Sequence, residues 1–129
     1  MTLTNLFPIF IPVNSQDMSD KIAIEAAADG HSIPISPTFY LQKDGEIAGT
    51  VSILNMNNGM CMVSIWAHSK RVNSRDTLIC LAIIENFCRM LGYKHIYMPC
   101  STNSPYWDYM PKMGYVETNP STKYFIKPI

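Results

Sequence analysis

The sequence predicts an α/β (α+β) fold: a central mixed, mostly antiparallel sheet with flanking helices. Three observations predict it. Residues 38–53, TFYLQKDGEIAGTVSI, carry a β-hairpin pattern, with Asp44-Gly45 at the turn between aromatic and β-branched flanks. A long apolar helix, from about Arg75 to Leu91, stands between two strand patterns, MCMVSIWAHS and KHIYMPC. A helical crossover is the connection that parallel neighbours require, so these two strands are expected side by side. The chain then closes on YVET and TKYFIKPI, a second hairpin with NPS in its turn.

The remaining elements follow in order. FPIFIPV, residues 7–13, is extended and apolar, and its prolines predict a short or edge strand. NSQDMSDKIAIEAAADG reads as a helix: Asn14 or Ser15 caps it, Asp17 and Asp20 suit its first turn, and Gly30 stops it. HSIPISP is a loop. NMNNG, residues 55–59, turns the chain between the first hairpin and the strand MCMVSIWAHS. The helix that follows ends at Gly92. Its first half is apolar nearly all round, which predicts cover on more than one side. SPYWDYMPKMGY is a short helix with Pro105 near its first turn. The expected order is β, α, three antiparallel strands, then α, β, α, β, β, with no repeat or linker, in a single domain over residues 1–129.

Composition narrows the function. Hydrophobic residues make up 47% of the 129, enough for a real core. Ten basic side chains balance ten acidic ones, which argues against a general nucleic-acid or membrane-surface binder. The balance is uneven along the chain. Six acids and two bases lie up to Ala67, and four acids and eight bases follow it. An anion site therefore belongs in the second half, although solvated surface accounts for the same bias. Cys61, Cys80, Cys88 and Cys100 have no metal-knuckle or C-x-x-C spacing. Their usage suits a reducing compartment, with Cys80 and Cys88 as small core residues. His31 and His95 have no metal-like companions, so no metal is expected. The N-terminus lacks a signal-peptide pattern, and the apolar run Leu78–Ile84 is too short to span a bilayer.

The stretch SKRVNSRDTLICLAIIENF, residues 69–87, leads basic residues through a polar turn into an apolar helix, which is how a chain builds an anion site at a helix N-terminus. Three segments together resemble the GCN5-related N-acetyltransferase (GNAT) superfamily over roughly residues 39–127. They are the hairpin and strand FYLQKDGEIAGTVSI…MCMVSIWAHS, the turn and helix RVNSRDTLICLAIIENFCRMLGYKHIYM, and NSPYWDYMPKMGYVE, with Asn103, Lys112, Gly114 and Tyr115 in the family's spacing. The chain is also similar to small phage-encoded proteins of this fold, which implies host cytoplasm or virion as its location. The resemblance implies an acyl-CoA N-acyltransferase fold in which acetyl-CoA lies where two parallel strands splay, its pyrophosphate on the amides of a Gln/Arg-x-x-Gly-x-Gly/Ala turn. It implies Trp66, Ala67, His68, Arg71, Ser74, Arg75, Thr77 and Asn103 as acetyl-CoA contacts, and His68, Ser101 and Tyr109 as candidates for the chemistry.

Laid on the family's turn, the sequence reads Arg71-Val72-Asn73-Ser74-Arg75-Asp76. Arg71 fits the first position. Ser74 and Asp76 replace the small residues that let the backbone approach a phosphate closely. Asp76 also puts a carboxylate at the positive end of the helix dipole, which steadies an empty helix by about 0.3–1 kcal/mol and repels a bound diphosphate. The same residues read equally as a capped helix start, with Asn73 or Ser74 as the cap. Met110 stands where the family's Tyr would protonate the thiolate, and Tyr109, one helical position away, turns about 100° from it. MCMVSIWAHS contains no acid to serve as base, which leaves His68, either as base or as a hydrogen-bonding residue. Cys100, Ser101 and Thr102 either line the cleft or cap the strand. Trp66, Tyr106, Trp107 and Tyr109 form either a platform for a partner or part of the core. Two functions compete: a structural or interaction protein with an eroded acetyl-CoA site, partnered by another protein or by a second copy, and an active N-acetyltransferase on an amine acceptor.

Overall fold

A computed structural model describes residues 7–33, 36–100, 107–119 and 124–129. Among these lie seven strands, ordered β1-β2-β3-β4-β5-β7-β6 in one mixed sheet, and two α-helices. The strands are β1 (Ile9–Pro12), β2 (Phe39–Lys43), β3 (Glu46–Asn57), β4 (Met60–Ala67), β5 (His95–Pro99), β6 (Val116–Asn119) and β7 (Tyr124–Pro128); the helices are α1 (Gln16–Ala28) and α2 (Ser74–Met90). The proline-bearing β1 takes the sheet edge, antiparallel to β2. There an absent backbone donor costs no ladder bond. The β2–β3 turn has Asp44 and Gly45 at φ 53° and 79°, the two successive left-handed residues that a type I′ hairpin requires. β4 and β5 pair in parallel from Met60–His95 to Met62–Tyr97, and β5, β7 and β6 pair antiparallel.

The chain forms two compact units. The first comprises Met1–Ile53 with Ser64–Ile84. Its core is built by Ile22 and Ala26 of α1 with Tyr40, Ile47 and Trp66. Burying each large apolar side chain contributes about 1.5–3 kcal/mol. Ser15 caps α1 by accepting the Met18 amide at 3.2 Å. At the other end Gly30 and His31 donate to Ala27 and Ala26, the reciprocal pair that closes a helix at a glycine. The β2–β3 register slips between Leu41–Gly49 and Gln42–Ile47, so Ala48 is an extra residue on β3. Its carbonyl accepts the His68 amide at 2.8 Å. Beside it, a Cβ on Gly49 would collide with the Trp66 carbonyl oxygen and stand 3.3 Å from the Ala67 Cα. Only a glycine lets β4 pass this closely.

The second unit comprises Leu54–Val63 with Glu85–Ile129. Here Lys127 Nζ donates to both oxygens of Glu85 at 3.0 and 2.9 Å, and the Tyr115 hydroxyl donates to Glu85 at 3.1 Å. Burial and then the Glu85 carboxylate push the Tyr115 phenol well above its ordinary value. Cys61 and Cys88 are fully buried as a thiol pair, and the hydrogen bond between them, with burial, pushes Cys88 up. Both are inert core residues.

Two expectations need correction. The short helix expected over SPYWDYMPKMGY begins outside the described residues; from Trp107 onward two 3-10 turns, Trp107–Tyr109 and Pro111–Met113, stand in place of a continuous helix, because Pro111 removes a donor and Gly114 ends the run at once. The first half of α2 is not covered on more than one side: Thr77, Cys80, Leu81 and Ile84 are buried, but Ile79 and Ile83 are 38% and 41% exposed. The helix begins at Ser74, and of the two candidate caps Asn73 accepts the Asp76 amide. The NPS turn lies partly outside the described residues. No described helix is long and apolar enough to cross a membrane.

Candidate functional site

The turn between β4 and α2, residues 68–76, is where the sequence places an anion site. Its backbone is tied down from within. The His68 carbonyl accepts from the amides of Arg71 and Val72 at 3.2 and 3.0 Å, and His68 Nδ1 accepts the Lys70 amide at 3.1 Å. The Ser69 amide donates to Asp29 Oδ2 at 3.0 Å. At the helix start, Asn73 Oδ1 accepts the Asp76 amide at 2.8 Å, while its carbonyl takes the Thr77 amide at 3.1 Å and the Thr77 hydroxyl at 3.2 Å. Among the described residues this leaves the amides of Asn73, Ser74 and Arg75 as the free donors of the segment. A helix N-terminus with its cap in place offers fewer donors to an anion than a glycine turn does.

The charges are committed as well. Arg71, the basic residue aligned with the first position of a phosphate turn, points back across the first unit. Its Nη1 donates to the Ile47 carbonyl at 2.7 Å and lies 3.4 Å from Glu25, and its Nε lies 3.0 Å from Glu46. Asp76 Oδ2 accepts from Lys43 Nζ at 2.8 Å, with the carboxylate mostly shielded. The positive end of α2 therefore already has its counter-charge. Burial and the Asp76 carboxylate push the nearby Cys80 thiol up to about 12, so it offers no nucleophile.

Asp29, at the end of α1, organises this region. Its side chain is 4% exposed. It accepts from Trp66 Nε1 at 3.0 Å, from the Ser69 amide and from the Ser69 hydroxyl. Burial by itself raises a carboxyl pKa. Here the Ser69 hydroxyl, Trp66 Nε1 and the Ser69 amide, with His68 nearby, outweigh burial and hold it at about 2. A carboxylate at a helix C-terminus opposes the dipole, so an acid directly before a stop glycine is the signal that could have pointed to such donors.

The predicted residues fall as follows. Trp66 is buried, its ring beside His68 with centroids 5.8 Å apart, so it is core rather than a platform. Ala67 is half-buried at the end of β4. His68 is buried. Its Nδ1 accepts the Lys70 amide, so that nitrogen is not available to a substrate amine. Thr77 is buried, while Ser74 and Arg75 are exposed. Met110 is buried and Tyr109 is exposed, with Lys112 Nζ 5.6 Å from its ring centroid. Ser101, Asn103 and Tyr106 lie outside the described residues. No group of three potential metal ligands occurs among those described.

No protein-family model matches the sequence, and no curated protein matches it. Solved structures do match. A protein described as a phosphinothricin N-acetyltransferase shares 14% identity at a TM-score of 0.71, over 94% of this chain and 98% of its own. The N-acetylglutamate synthase of Neisseria gonorrhoeae, complexed with coenzyme A and N-acetyl-glutamate, shares 16% identity at 0.70, over 95% of this chain and 35% of its own. The PaiA N-acetyltransferase of Thermoplasma acidophilum, in complex with coenzyme A, shares 13% identity at 0.58, over 70% of this chain and 59% of its own. The chain thus spans little more than half of one of these coenzyme A-bound proteins and about a third of the other. At these identities the likeness is one of fold, and the fold of this chain is the GNAT acyl-CoA N-acyltransferase fold.

Proposed function

We propose that this chain is an acetyltransferase-fold protein whose acetyl-CoA turn is closed from within, and that it serves as a non-catalytic interaction or structural component. The commitment of Arg71 carries this reading. A guanidinium that neutralises a diphosphate must be free to face it, and this one is held by Ile47, Glu25 and Glu46. Asp76 at the N-terminus of α2 and the occupied Nδ1 of His68 act in the same direction. Release of free thiol from acetyl-CoA in the presence of a panel of primary amines tests it. The reading expects no turnover above the buffer rate. Amine-dependent thiol release that is lost in Arg75→Ala would overturn it.

A second reading has one observation in its favour. Two coenzyme A-bound proteins share the fold, and the amides of Asn73, Ser74 and Arg75 still point from a helix start. On that reading the chain is an N-acetyltransferase that binds acetyl-CoA weakly through these amides, Arg75 and Lys70. It would be saturated only at high cofactor concentration.

A further inference from the structure

The first unit has an open-sided cavity of about 190 Å³ between α1 and the β2–β3 hairpin. That is smaller than a pocket for a drug-sized ligand and leaves room for a compact metabolite. Lys21 and Glu25 line it from α1, Tyr40 and Gln42 from one face of β2, and Glu46 and Arg71 from the hairpin end and the turn.

The lining is charged and balanced. Glu25 and Glu46 face Lys21 and Arg71, so an anion alone meets two carboxylates and a cation alone meets two bases. Only a molecule carrying both signs pairs with every group. Both carboxylates keep acceptor capacity beside their contacts with Arg71: Glu25 is 3.4 Å from its Nη1, and the Glu46 side chain, 3.0 Å from its Nε, is 63% exposed. Donors are also in surplus. Among the described residues the Nη2 amino group of Arg71 and the Lys21 ammonium have no partner. Tyr40, a residue 9% exposed overall, lines the cavity beside them.

We propose that this cavity binds a small zwitterion of the free α-amino-acid class. Lys21 and Arg71 Nη2 take the carboxylate, Glu25 and Glu46 take the ammonium, and the Tyr40 hydroxyl and Gln42 amide bond to what remains. The site lies on the α1 side of the hairpin and needs no acetyl-CoA, so it stands or falls apart from the reading above.

The test is a thermal-shift and calorimetric titration of the full chain with the common free L-amino acids at millimolar concentration. The best binder is then compared with its N-acetyl and methyl-ester forms. The expected result is a saturable shift with a free amino acid. Either blocked form, and the variants Lys21→Met and Tyr40→Phe, should weaken it by about ten- to hundredfold. Lys21 is on the surface, so its variant remains informative if Tyr40→Phe disturbs packing. No shift with any free amino acid would overturn the proposal. So would equal binding of the blocked forms, or binding unchanged by Lys21→Met.

Discussion

Asp76 Oδ2 lies 2.8 Å from Lys43 Nζ, so the first turn of α2 is paired to the β2–β3 hairpin. The pair joins residues far apart in sequence and places a carboxylate where a phosphate-binding helix presents its positive end. Asp76→Asn removes both the ion pair and the dipole interaction. It should lower stability by about 1 kcal/mol, read as a lower urea midpoint at unchanged slope. The same variant should bind acetyl-CoA more tightly than the parent.

Asp29 sets an acid limit on stability. Its carboxyl is held at about 2, against an ordinary value of 3.8. The folded state keeps it ionised below the pH at which the unfolded chain takes up a proton. Its contribution is therefore full above the ordinary value and is lost as pH falls from there towards about 2. Urea midpoints followed from pH 5 downward should fall steeply in the parent and more gently in Asp29→Asn. At neutral pH that variant should be about 1–3 kcal/mol less stable, since its amide cannot serve all three donors.

Gly49 is a steric requirement. A methyl group there meets the Trp66 carbonyl oxygen and lies 3.3 Å from a Leu41 methyl carbon. Backbone cannot yield as a side-chain tip does. Gly49→Ala should cost about 1–3 kcal/mol by chemical denaturation, although alanine is otherwise the milder residue in a strand.

The second unit offers a test of buried charge. The Glu85 side chain is 14% exposed and takes bonds from Lys127 and Tyr115. Among the described residues, Lys127→Met leaves that carboxylate with the phenol as its one side-chain donor and should cost about 2 kcal/mol. Glu85→Gln combined with Lys127→Met should recover most of the loss, because the penalty belongs to the unpaired charge.

Much of the architecture was legible because its determinants are local. Asp44-Gly45 fixes the hairpin, the apolar run after Asn73 fixes the crossover helix, and Pro8 and Pro12 mark an edge strand. The short helix after Pro105 misled because a second proline at 111 and a glycine at 114 shorten it to 3-10 turns. Ile79 and Ile83 read as buried because hydropathy does not say which side of a helix finds a neighbour. The site was legible only in outline. The basic turn, the cap at Asn73 and the misplaced Asp76 can be read directly. The aim of Arg71, however, is set by Glu25 and Glu46, 46 residues away in one case. Asp29 meets Ser69 across 40 residues. Such pairings depend on how α1 is laid against the hairpin, and no periodicity or spacing encodes them.

The most direct test of the closed turn is a calorimetric titration of acetyl-CoA into the unmodified chain at low salt, where attraction between phosphate and base is strongest. The account predicts no saturable heat at micromolar concentrations. Saturation there, abolished by Arg71→Ala, would contradict it.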